Sequence, residues 1–113
     1  MPEVPLTLEL GTFSKHLGDE FHIQLSGQVR AVKLIEAEAA ESQGAAPAQS
    51  AKSFSLLFHD RAATVRSFVL QGIYRFDHPE LGTLELFMVP VGPDKQGQGI
   101  CYQVIFNSSD NDL

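Results

Sequence analysis

The stretch Ile73-Tyr74-Arg75-Phe76-Asp77-His78-Pro79-Glu80-Leu81-Gly82-Thr83-Leu84-Glu85-Leu86-Phe87-Met88 decides the fold class. Ile73 to Asp77 is rich in the β-branched and aromatic residues that fit a pleated, half-buried surface. The run stops at His78-Pro79-Glu80-Leu81-Gly82, where Pro79 fixes φ at about −65° and Gly82 tolerates positive φ. These residues predict a four-residue hairpin link built on a type I turn. Thr83 to Val91 is the return strand, with Leu84, Leu86 and Met88 on one face and Phe87, Val89 and Val91 on the other. A strand apolar on both faces is expected to be central or wrapped on both sides. Pro90 places its far end at an edge or a bulge.

The same period of two recurs on either side of this hairpin. Phe21, Ile23 and Leu25 alternate with His22, Gln24 and Ser26, which describes a strand with one buried face. Ser26-Gly27-Gln28 is a tight turn, and Val29 to Glu36 returns with its apolar residues switching face midway, so a β-bulge or strong bend is expected there. Phe54, Leu56 and Phe58 point inward from a third strand, followed by a polar connector from His59 to Arg66 and a short run, Ser67 to Gln71. Gly92 to Gly99 is a loose turn, and Ile100 to Phe106 closes the pattern. At the N-terminus Leu6 to Leu10 alternates as a short strand or extended lead-in. Thr12 then caps one helical turn over Phe13 to Leu17, closed by Gly18. Strands at this spacing predict an all-β, antiparallel barrel or sandwich of six to seven strands, with one short N-terminal helical turn. Residues 37–52 are Ala-rich with Gly44 and Pro47 and are expected to form a flexible surface loop; residues 107–113 are expected to be a frayed tail.

Composition narrows the function classes. The chain has 113 residues, room for one domain, with 8 Lys+Arg against 14 Asp+Glu and a formal charge of −6. No basic cluster is available to track a phosphate backbone, so nucleic acid is not an expected partner. No run of about 18 apolar residues crosses a bilayer. Cys101, the single cysteine, cannot form an internal disulfide or a zinc cage. The first ten residues, MPEVPLTLEL, lack the positive n-region of a secretory signal, so the cytoplasm is the expected location.

Catalysis needs a nucleophile, base and orienter, or a metal. His16, His22, His59 and His78 form neither an i, i+4 pair on a helix nor an H-x-H strand pair, so no catalytic residue, metal or cofactor is expected. His78 reads as a polar turn residue that hydrogen-bonds its loop, and His59-Asp60-Arg61 as a solvated strand end. Cys101 reads as a core thiol, and Gly92 to Gly99 lacks the G-K-[ST] ending of a phosphate loop. The candidate binding residues are Tyr74, Arg75, His78, Glu80 and Tyr102. Tyr74, Arg75 and Tyr102 would line a cleft for a sugar or short peptide. His78 and Glu80, with another carboxylate at a barrel mouth, would make an enzyme site.

Phe54-Ser55-Leu56-Leu57-Phe58, Gln71-Gly72-Ile73-Tyr74-Arg75, His78-Pro79-Glu80-Leu81-Gly82, Leu84 to Pro93 and Tyr102 to Asn107 together resemble a family of small bacterial domains of unknown function. Thr12-Phe13-Ser14 and His16-Leu17-Gly18 with Phe21 fit the same pattern. The resemblance implies no catalytic residues and no cofactor, and a loose association with phage-tail-collar-like proteins. A non-enzymatic structural or protein-interaction domain is therefore expected, in the manner of an accessory of a phage-tail-like or fibre assembly. The alternative is a small-ligand binding module. The partner is expected to be protein, and an exposed edge strand could pair two copies into a symmetric dimer.

Overall fold

The computed structural model describes residues 10–39, 53–64 and 66–106. One helical turn, α1 (Leu10–Ser14), precedes six strands: β1 (Glu20–Leu25), β2 (Gln28–Ala39), β3 (Phe54–Asp60), β4 (Gly72–His78), β5 (Gly82–Gly92) and β6 (Ile100–Phe106). They close into an antiparallel barrel in the order β1-β2-β3-β6-β5-β4. The seam between β1 and β4 is short, running from His22↔Asp77 to Gln24↔Arg75. β3 and β6, also not consecutive in sequence, pair along their whole length from Phe54↔Phe106 to Asp60↔Ile100.

Alternation supplies the core. Phe21, Ile23, Val32, Leu34, Phe54, Leu56, Phe58, Phe76, Met88, Tyr102 and Val104 all point inward and are buried. Phe58 stands 5.1 Å between ring centroids from both Phe21 and Phe76, so aromatic rings occupy the barrel axis. A small barrel filled in this way is a packed core rather than a ligand chamber. Both ends are covered. At one, α1 inserts Phe13 against Phe54 and Phe106, at 5.8 and 5.3 Å. At the other, the segment between β3 and β4 folds inward with Ala63 and Val69 buried. There the Val69 N–H donates to the Tyr102 hydroxyl at 2.9 Å, and Arg30 Nη1 donates to the buried Asp60 Oδ2 at 2.8 Å.

Several expectations need correction. The helical turn begins at Leu10, not after Thr12, because Leu10 and Phe13 are the apolar pair that seals the barrel end, while Leu17 stays exposed. Leu10 is therefore helical, and the rest of the expected lead-in strand lies outside the described residues. β2 runs on through Ala37–Ala39, so the first three residues of the expected Ala-rich loop are strand; residues 40–52 and the expected tail, 107–113, lie outside the described residues. His59 and Asp60 belong to β3, and Asp60 is buried rather than solvated. Ser67 to Gln71 adds no seventh strand; an isolated bridge joins Thr64 to Ser67. The hairpin link has three residues, Pro79 to Leu81, since His78 pairs with Gly82, whose φ of 80° turns the chain back.

Two irregularities fall where the sequence places them. The β2–β3 register shifts between Leu34 and Glu36, which moves the inward positions from Val32 and Leu34 to Ala37 and Ala39. The β5–β6 register shifts between Pro90 and Gly92. β5 is not wrapped on both sides: Phe87 and Val91 are exposed, because a closed barrel has only one interior face. Closure leaves no strand with a full-length free edge, and the short β1–β4 seam is where pairing is least complete.

Candidate functional site

The five residues singled out from the sequence do not converge. Tyr102 is fully buried inside β6, and burial pushes its phenol pKa above the usual value. Tyr74 is half-buried, and its hydroxyl donates to the Leu70 carbonyl at 2.8 Å. Arg75, the next residue of β4, is exposed on the opposite face, across from Glu85. No cleft lined by Tyr74, Arg75 and Tyr102 can form from one buried ring and two neighbours on opposite faces. His78 does meet a carboxylate, that of Asp19, while the exposed Glu80 carboxylate lies near His16 rather than Asp19.

That meeting occurs where the α1–β1 link touches the β4–β5 hairpin. His78 Nδ1 accepts hydrogen bonds from the backbone N–H groups of Glu80 (3.0 Å) and Leu81 (3.2 Å), the turn role expected of it. With Nδ1 facing two donors, the ring proton is on Nε2, which donates to Asp19 Oδ2 at 2.9 Å. His16 Nδ1 lies 2.9 Å from the same oxygen, and His16 Nε2 lies 3.5 Å from Glu80 Oε1. Both rings are buried and meet edge-on at 4.5 Å. The hydrogen bonds from His78 and then His16 hold the Asp19 carboxyl below the usual carboxylate range. Sequence reasoning missed Asp19 and His16 as partners of His78. The His16-x-x-Asp19 spacing hints at the local pair, but nothing in the sequence announces His78, 59 residues from Asp19.

One nitrogen from each of His16 and His78 and an Asp19 oxygen lie within 4.8 Å of one another, a spacing that would suit a divalent transition metal. The tautomer argues otherwise. A metal-bound imidazole normally donates its second nitrogen's proton to an acceptor. His78 Nδ1 instead accepts from two amides, so coordination through Nε2 would cost both turn hydrogen bonds. As they stand, these side chains form a clasp between two chain segments. Beside it is a shallow hollow of about 350 Å³ lined by His22, Asp77, His78 and Thr83.

The outer surface offers a different feature. Ile73 pairs with Phe87 across β4 and β5, and Ile105 lies beside Phe87, one step beyond the Met88↔Val104 pair. All three point outward, with exposures of 68%, 50% and 65%. The row continues through Ser55 on β3 to Glu38 on β2. A parallel row runs Val89, Gln103, Leu57, Glu36. At its end, the turn after β5 overhangs a groove of about 420 Å³ whose walls include Ile35, Leu57, Val91 and Cys101. None of the five expected binding residues forms part of that groove.

Among the described residues, no helix is long and apolar enough to cross a membrane. One family model, described as a domain of unknown function (DUF6916), matches residues 8–106. No curated protein and no solved structure matches the chain.

Proposed function

We propose that this chain, which belongs to the DUF6916 family of domains of unknown function through residues 8–106, is a non-enzymatic docking domain that holds a protein partner on the outer face of β4, β5 and β6. The observation that carries the proposal is the in-register row of Ile73, Phe87 and Ile105, apolar side chains left to solvent. Scattered exposed apolar residues need no explanation, but a contiguous rimmed patch marks an interaction site. Among the described residues the barrel interior is packed and both ends are covered, which favours recognition on an outer face over an interior chamber. Assembly into a phage-tail-like or fibre structure is one setting in which such a face would serve.

Phe87→Asp and Ile105→Asp test the proposal, since neither side chain contributes to the core. Pull-down from the native host with mass spectrometry should recover a protein partner with the wild-type chain and lose it with either variant, at unchanged melting temperature. Equal recovery by wild type and both variants would overturn the proposal.

A further inference from the structure

The two outward rows share a polarity. Each begins in apolar side chains on β4 or β5 and ends in a carboxylate on β2: Glu38 in the row of Phe87 and Ile105, Glu36 in the row of Val89 and Leu57. The groove at the end of the second row has an apolar floor and carries Glu36 and Asp94 on its rim, with Lys95 the cation among its lining residues. Asp94 is fixed there: Oδ1 accepts from the Gln96 and Gln98 N–H groups at 2.8 Å each, and Oδ2 lies 3.4 Å from His59 Nε2.

Resting on the docking face proposed above, we infer that the partner segment presented to it is basic as well as apolar. Its apolar side chains lie on the Phe87–Ile105 row, and an arginine or lysine lies along the groove with its charge at Glu36, Glu38 and Asp94. A long basic side chain suits such a place, because its aliphatic stem covers apolar surface while its charged head stays at the wet rim. The same two carboxylates act on the groove wall. The Cys101 thiol on the groove wall has its pKa raised first by burial and then by the charges of Asp94 and Glu36, so both carboxylates project their field into the groove. A second copy of this chain is a poor occupant, since at a formal charge of −6 it brings more acid to an acidic border.

Fluorescence anisotropy with a labelled pentapeptide of alternating valine and arginine, against valine–glutamine and valine–glutamate versions, tests the inference. The arginine peptide should bind about tenfold tighter than the glutamine peptide and weaken as salt rises. The glutamate peptide should not bind. In the Glu36→Gln/Glu38→Gln double variant the arginine preference should fall by roughly a factor of five, with folding checked by its melting curve. Equal binding of the arginine and glutamine peptides, an unchanged preference in the double variant, or binding of none of the three overturns it. If partner capture from the host is still lost in Phe87→Asp, the docking face stands without its basic partner. If capture is also indifferent to Phe87→Asp, both fall.

Discussion

Gly99 precedes β6 with a φ of 63°, and its backbone presses against the end of β3. A methyl group there would collide with the Asp60 carbonyl oxygen and stand 2.7 Å from His59 Nε2. The first of these neighbours is backbone and cannot swing aside. Gly99→Ala should therefore destabilise by about 2 kcal/mol or more, combining the left-handed penalty with the clash. A fall of roughly 8 °C in Tm is the expected readout, and an unchanged Tm would refute the close approach. Asp19 makes a pH-dependent case. Its folded pKa lies below the usual 3.8, so the ionised form contributes stability above that value, lost as pH falls through the folded pKa. The stability difference between wild type and Asp19→Asn should be widest above 3.8 and shrink below it. Urea melts across that range would show this; a gap that grows on acidification would contradict it.

At the scale of elements, β2 shows how much one residue can specify. Leu34 pairs with Phe58 and Glu36 with Leu57, so Ile35 is the extra residue of the bulge. Without it, Leu34, Glu36 and Ala37 would meet Phe58, Leu57 and Leu56 in an unbroken ladder, each side chain on its present face. Deleting Ile35 should accordingly give a folded barrel whose Tm is lower by only a few degrees. Deleting Ala37 should prevent folding, because a carboxylate, Glu36 or Glu38, then faces the core in any register. Circular dichroism melts of the two deletions separate these outcomes, and similar losses in both would refute the bulge assignment. This bulge was legible in the sequence because apolar residues changing face leave a mark on a single strand. So was the β4–β5 turn, where Pro79 and Gly82 act locally. The outer face of β5 was not. Phe87 and Val91 read as core because an apolar residue carries the same pattern whether its face is covered by protein or left for a partner. The start of α1 was missed for a related reason: Leu10 and Phe13 are positioned by the open barrel end, which no local spacing describes.

At the scale of the whole molecule, closure depends on two joins between strands that no hairpin links. β3–β6 is paired from end to end, whereas β1–β4 has only the short run between His22↔Asp77 and Gln24↔Arg75. The polar clasp falls on this weaker join. Asp19 precedes β1 and binds His78 at the end of β4, while Gln24 Nε2 donates to Asp77 Oδ2 at 2.6 Å across the same seam. The pairing that sequence could not show, and that resembles a metal or catalytic cluster by composition, is thus placed where backbone pairing is thinnest. If it staples the barrel shut, local opening should begin at β1–β4 and spread last to β3–β6. Native-state hydrogen exchange should find the amides of His22 to Gln24 and Arg75 to Asp77 less protected than those of β3 and β6. Asp19→Asn should then speed exchange at the seam by about tenfold, a loss of roughly 1.4 kcal/mol in local opening, with a smaller effect on β3–β6. Uniform acceleration across all strands would mean that Asp19 supports only global stability, and an unchanged seam would mean that its two histidine contacts hold nothing closed.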